Sequence, residues 1–329
     1  MLHFTNYNPA DRAGWLALRE GFRKRGVGGS ELASVAGVPG AFGSAYAEWA
    51  ERTGRFVRER RDNPYLQDGR DIEAIVGRRF EEASGLKLRH RYAIIQNDAC
   101  PHLFADVDAF VEGADMGWEG KTYDPRSSKF DDGVPPYYVS QVAVYMAVTE
   151  KDKWALSAWS YGQGTRHFYF TLNPDDEKPL WALEKVVLSP GELEAAETIA
   201  AGFMRLVEQN TPPPIDGSEA TGEALRAIYP EAVQDKALDI EAVRSSLDAI
   251  GAIDQQIKEL EQRKEEQRQI IMEAMGDAET ASATGWKVTW KAVETKRLDT
   301  KAAKAALGDA LAPYFKTTSA RTLRISRAK

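Results

Sequence analysis

The feature that most narrows the fold of this chain is a change of hydrophobic period, made twice along its length. Up to about residue 85, apolar side chains recur at helical spacing. From Leu86 to Leu172 they fall in short strand-like runs interrupted by one helix, and helical spacing resumes at Ser189. A chain of this pattern must bury helices against a sheet built largely from one contiguous segment, an α+β arrangement. In the first stretch, Asn8–Asp11 opens a helix carrying Trp15, Leu16 and Leu18, and Ser30 is expected to cap a short helix through Leu32 and Val35. Ser44 caps another with Tyr46, Trp49 and Ala50 inward, and residues 68–84 carry Ile72, Ile75, Val76 and Phe80 at helical spacing. Strands are expected over 86–95, 103–111 and 118–123, the last two joined by a turn around Gly113–Gly117. A helix over 136–148 and strands over 153–161 and 165–172 follow. Ser189-Pro190-Gly191-Glu192 then starts a helix with a capping box and proline at its first position.

That helix ends at Thr211-Pro212-Pro213-Pro214, which sets the expected organisation: a domain over 1–210, a linker over 211–235 and an extension over 236–329. In the extension, Ile250, Ile253, Ile257, Leu260, Lys264, Gln267 and Ile271 alternate spacings of three and four, a heptad seam with a polar centre. A coiled coil and an intramolecular helical hairpin both fit it. A strand near Trp286–Ala292 and a basic tail with Arg321 and Arg324 complete the chain.

Composition narrows the function. The chain has 329 residues, 43% hydrophobic and 28% charged, which is a globular balance with enough length for a real core. Its net charge of −7 excludes a protein that coats nucleic acid by bulk positive charge. The charge is segregated: residues 1–92 carry +4, 93–188 carry −7, 189–275 carry −10 and 276–329 carry +6. Basic ends around an acidic middle point to a polyanionic partner, and also suit a surface that is merely solvated. A single cysteine, Cys100, excludes internal disulfides and four-cysteine metal sites. The four histidines are never spaced i, i+4. No apolar run near the N-terminus or elsewhere suits a signal peptide or membrane span, so a reducing cytoplasm is the expected location, with no membrane partner.

The informative span is Ala105–Lys121. If the hairpin centres near Gly113–Ala114, Asp108 faces Glu119 and neighbours Lys121, so two carboxylates and a lysine converge at one sheet edge. Hard divalent cations take oxygen ligands of this kind. A lysine beside them can orient or activate an attacking water and offset charge on a phosphorane-like transition state. Glu73 on the preceding helix could complete the donor set, and Gln141 lies on the following one. Asp106 lies further from Glu119 and reads as a neighbour of the site or a surface group. Taken alone, the same residues also suit an exposed hairpin with an ordinary cross-strand Glu–Lys pair. Gly28-Gly29-Ser30 opening a helix offers free N–H donors to an anion, and Arg25 a guanidinium fork.

Asp108…Glu119-Gly120-Lys121 with Gln141 resembles the PD-(D/E)XK nuclease core. The segments Arg25–Glu31, Gly69–Glu73, Phe104–Ala109 and Val134–Gln141 are similar, in order and spacing, to the YqaJ-like viral recombinases, relatives of phage lambda exonuclease. This resemblance implies a PD-(D/E)XK restriction-endonuclease-like fold, α/β/α at its core, with a C-terminal helical extension. It implies a metal-dependent 5′-to-3′ exodeoxyribonuclease on linear duplex DNA that leaves 3′ single strands for phage-type recombination. Asp108, Glu119 and the Gly120 carbonyl would bind Mg²⁺, for which Mn²⁺ can substitute, with Glu73 on a second or shared ion. Lys121 and Gln141 would serve and position the water, and Arg25 and Ser30 would hold the 5′-phosphate. Arg23, Lys24 and Arg25 then stand beside a phosphate pocket. Gly120 departs from many relatives, which carry cysteine or another residue there. A homotrimer around DNA, a single-strand annealing partner and a bacterial host cytoplasm are implied in the same way. Alternatives are another PD-(D/E)XK nuclease, an endonuclease or RecB-type repair nuclease, and a non-catalytic DNA-binding protein that keeps the fold.

Overall fold

A computed structural model describes residues 1–57, 64–233, 236–295, 297, 299–314 and 325. It divides into two units, Met1–Tyr229 and Pro230–Lys329.

In the first unit the elements run β1 (Leu2–Asn6), α1 (Arg12–Arg23), β2 (Val27–Gly28), α2 (Gly29–Val35), α3 (Ala45–Arg52), α4 (Pro64–Ser84), β3 (Leu88–Arg89) and β4 (Ala93–Asn97). There follow β5 (Leu103–Asp106), β6 (Ala109–Val111), β7 (Met116–Thr122), α5 (Pro136–Thr149), β8 (Lys153–Ser160), β9 (Gly164–Thr171), β10 (Glu184–Val187), α6 (Pro190–Glu208) and α7 (Glu219–Ile228). The central sheet has strand order β10-β9-β8-β7-β6-β3, and a smaller sheet has order β1-β4-β5-β2. Strands β7 and β8 are parallel, so the intervening α5 is their crossover helix.

Alternation along the strands sorts the core into two layers. On one face, Val76 and Phe80 of α4 pack with Trp118, Ala155 and Tyr169. On the other, Val142, Tyr145 and Met146 of α5 and Phe203 of α6 pack with Trp154, Leu156, Phe168 and Phe170. Trp118, Trp154 and Phe168 are wholly buried, each such side chain contributing roughly 1.5–3 kcal/mol. The outcome is the α+β fold with helices on both faces of a mixed sheet. Ser44 and Ser189 cap α3 and α6 as expected, with Ser44 Oγ accepting from the Ala47 N–H at 3.1 Å.

Several expectations are corrected. The strand expected over 103–111 breaks at Val107–Asp108, and its halves join different sheets. Period-two reading cannot register the change, because the chain stays extended while its side chains turn to different partners. The strand expected over 86–95 divides likewise into β3 and β4. Ser30 does not cap α2: the helix already begins at Gly29, and the Gly28 N–H donates to the Glu31 carboxylate. Ile75 is not core but 37% exposed. Within 211–235, Glu219–Ile228 is helical, capped by Ser218, and buries Thr221 and Ala224, with Thr221 Oγ1 donating to Ser44 Oγ at 2.8 Å.

In the second unit, the heptad segment forms one continuous helix, α8 (Arg244–Met275), and not a hairpin. Its seam is open, with Ile253 52% and Leu260 61% exposed. A small hairpin, β11 (Thr280–Ala283) and β12 (Trp286–Thr289), and α9 (Thr300–Leu307) follow. Arg321 and Arg324 lie outside the described residues. Among the described residues, no helix is long and apolar enough to cross a membrane.

Candidate active site

The β6–β7 hairpin pairs Ala109 with Trp118 and Phe110 with Gly117, which centres it between Gly113 and Ala114. That register carries Asp108 opposite Glu119. Asp108 Oδ2 accepts the Gly120 N–H at 2.8 Å. Glu119, only 3% exposed, accepts at Oε1 from Lys121 Nζ at 2.5 Å and from Gln141 Nε2 at 2.9 Å. Gln141 also donates to the Tyr145 hydroxyl at 2.6 Å. The Lys121 ammonium lies 5.1 Å from the Tyr138 ring centroid, so Tyr138 both fills core and faces the lysine. Ser30, Glu73, Asp108, Glu119, Lys121 and Gln141 line one cavity of about 500 Å³.

The electrostatics follow from burial of like charges. Glu119 is pushed well above the ordinary carboxylate range by burial and by Asp108, whose own value is raised by burial against the pull of Lys121. Burial works against the charge on Lys121, but the Glu119 and Asp108 carboxylates outweigh it and hold the ammonium protonated. Burial and then Asp108 push Glu73 up to about 7. A carboxyl raised in the fold stabilises the protein at low pH, and that stability is lost as pH climbs from the ordinary glutamate range through about 7. Metal-free Glu73→Gln is therefore expected to melt higher than wild type at pH 8, with the two converging at pH 4. Equal melting temperatures at pH 8 would count against this.

The remaining assigned residues divide. Ser30 reaches the cavity because Gly29 lets α2 approach α5: a Cβ at Gly29 would stand 2.6 Å from the Tyr145 ring. Its hydroxyl accepts from Arg19 Nη2 at 2.8 Å. Arg25 is not brought to the carboxylates. It is exposed, its guanidinium 5.3 Å from the Phe22 ring centroid. Arg23 does not face a phosphate pocket either, being 1% exposed and bound to four glutamates. Asp106 accepts from the Tyr7 hydroxyl at 2.9 Å and Trp15 Nε1 at 2.7 Å, and it neighbours the pair, lining a smaller cavity with Asp108, Glu119, Ser30 and Arg19. Sequence reasoning missed Arg19, Tyr7 and Tyr145. Two of them carried a signal in helical spacing: Arg19 lies one turn after Trp15, and Tyr145 one turn after Gln141. Gly120 has a steric reason, since a Cβ there would stand 2.8 Å from the buried Trp118 indole.

The fit to a divalent cation is tested by the donors. Glu119 Oε2 is buried with no hydrogen-bond donor, beside a second carboxylate. Among the described residues, no three His, Cys, Asp or Glu side chains converge to enclose a metal by themselves. Mg²⁺ needs no such cage, since it is held by one or two carboxylates with waters and substrate phosphates. The pair Asp108–Glu119 fits that cation.

Residues 15–152 match the family model of the YqaJ-like viral recombinase domain. Over 312 residues, the chain is 28% identical to the uncharacterized protein YqaJ of Bacillus subtilis (strain 168), covering 92% of each. Among solved structures it is similar to an alkaline exonuclease from Laribacter hongkongensis, with TM-score 0.44, 16% identity, and coverage of 60% of this chain and 94% of that one. A phage-related exonuclease from Haemophilus somnus 129PT aligns with TM-score 0.41 and 15% identity, over 56% of this chain and 96% of that one.

Proposed function

We propose that this chain, whose residues 15–152 are a YqaJ-like viral recombinase domain, is a metal-dependent exodeoxyribonuclease acting on linear duplex DNA. It digests one strand from its 5′ end and leaves 3′ single strands for recombination. The observation that carries the reading is the meeting of Asp108, Glu119, Lys121 and Gln141 in one cavity.

Asp108, Glu119 and the Gly120 carbonyl would hold Mg²⁺ or Mn²⁺, with Glu73 on a second or shared ion. The cation supplies charge stabilisation at the phosphate and a more acidic water. Lys121, fixed by Glu119, presents N–H donors that orient the water and offset charge on the pentacoordinate phosphorus. Gln141, held between Glu119 and Tyr145, sets the position of the Glu119 carboxylate. Ser30, with Arg19 against its hydroxyl, receives the terminal phosphate, and the exposed Arg25 meets the backbone further out. A trimeric ring, an annealing-protein partner and action in a bacterial cytoplasm belong to the same reading.

The decisive experiment is strand-labelled digestion of linear duplex DNA bearing 5′-phosphates, with Mg²⁺. Release should begin at the 5′ end and leave closed circular DNA intact. Cutting of circles would transfer the protein to the endonucleases, and binding without release would make it a non-catalytic DNA-binding protein.

A further inference from the structure

A second cavity, of about 470 Å³, opens at the turn end of the β6–β7 hairpin and plays no part in the chemistry above. Phe4, Arg89, Arg91, Phe110, Glu112 and Lys151 are among its lining residues. Its wall begins at Phe110, two residues beyond Asp108, or roughly 7 Å along the strand. Arg89 and Arg91 line this cavity, whereas the intervening His90 does not. His90 Nδ1 lies 2.8 Å from the Asp108 carbonyl oxygen, so the strip is tied to the main chain of the metal-site aspartate.

The lining combines two chemistries. Phe4 is 39% exposed on the edge strand β1, with the Arg91 guanidinium 4.1 Å from its ring centroid. Lys151 is paired with Asp115. Among the described residues, Arg89 and Arg91 have no acidic partner within ion-pair distance, although Glu112 lies in the same wall. A part-exposed ring already stacked by one guanidinium, beside a second guanidinium that likewise has no acidic partner among the described residues, is a stacking surface with phosphate contacts. A duplex hides its base faces and cannot use the ring, whereas an unpaired strand can.

We infer that this cavity binds a single strand of DNA, a base stacking on Phe4 while Arg89 and Arg91 hold its phosphates. The inference rests on the nuclease reading for the origin of that strand, which leaves the carboxylate site along the hairpin.

The test is binding of a fluorescent oligothymidylate, measured by anisotropy without metal, so that catalysis does not enter. Arg89→Ala/Arg91→Ala is expected to weaken binding at least tenfold. It should also flatten the dependence of log K on log salt by about 1.4, near 0.7 for each single-strand phosphate contact. Phe4→Leu should weaken binding about fivefold or more and leave the salt slope unchanged. Unaltered melting temperatures establish that both variants fold. The site is overturned if neither variant moves the oligonucleotide affinity, if wild type does not bind the oligonucleotide, or if blunt duplex loses affinity by the same factor. Wild type is assayed in parallel for Mg²⁺-dependent release from duplex. Failure there removes the nuclease reading and leaves the metal-free binding result standing, whereas normal release with unmoved binding removes this site alone.

Discussion

Asp108→Asn is expected to lower Mg²⁺-dependent nucleotide release by about 10²–10³-fold or more while leaving the folded protein intact, the scale seen when one electrostatic stabiliser is removed. The substitution is chosen because it isolates the charge. An asparagine oxygen can still accept the Gly120 N–H that Asp108 accepts at 2.8 Å. The Lys121–Glu119–Gln141 hydrogen bonds do not include Asp108 and stay in place. What disappears is a buried negative charge that repels Glu119. Because both carboxyls are raised by burial, their ionised forms cost the metal-free fold stability as pH rises. The variant should therefore melt at or above wild type at pH 8 without metal. Wild type should gain melting temperature on adding Mg²⁺, and Asp108→Asn should gain much less. Undiminished release, or an equal Mg²⁺-dependent gain in both proteins, would remove Asp108 from the metal site.

Arg23→Met should destabilise the protein by about 3–5 kcal/mol, the range for removing one partner of a buried ion pair. Arg23 lies 2.8–2.9 Å from carboxylate oxygens of Glu20, Glu31, Glu48 and Glu51. Arg52 joins the same group, 2.8 Å from Glu31 and 2.9 Å from Glu48. Although burial alone would raise Glu31, Arg52, Arg19 and Arg23 together lower it to about 2. A carboxylate held low contributes stability above the ordinary glutamate range and loses it as pH falls toward 2. Methionine fills most of the arginine volume, so the lost term is charge, while Arg52 stays paired with Glu31 and Glu48 and Arg19 with Glu31. For a unit of this size the loss corresponds to a melting-temperature drop of roughly 6–20 °C at pH 7. Protonating the glutamates relieves their repulsion, so the gap should narrow at pH 4. A drop under 2 °C at pH 7 would show the network to be dispensable.

Legibility from sequence depended on range. The Asp108–Glu119 register followed from counting residues around one hairpin turn, and Gln141 from its place on the next helix, both local relations. The capping of α3 and α6 was readable because a serine hydroxyl and the N–H that donates to it are three residues apart. Arg23 was misplaced because charge in a sequence carries no direction. Whether an arginine meets solvent or four glutamates depends on how α1 and α3 pack. The break at Val107–Asp108 was hidden for a similar reason, since Asp106 turns to Tyr7 and Trp15, about a hundred residues earlier. Arg19 escaped notice because its partner Ser30 belongs to the next helix.

The indole above Gly120 imposes an order on the changes this site can accumulate. With Trp118 fully buried and its ring 2.8 Å from where a Cβ would stand, any larger residue at 120 must be preceded by a smaller one at 118. The reverse order passes through an overpacked intermediate, costing roughly 1–3 kcal/mol. Trp118 also donates through Nε1 to Ser157 Oγ, which bonds His167 Nδ1, so shrinking the indole unsettles two more buried polar groups. A lineage carrying this glycine and this tryptophan is thus constrained in the order of its changes: position 118 shrinks first, at the expense of the Ser157 and His167 contacts, and only then does position 120 accept a side chain.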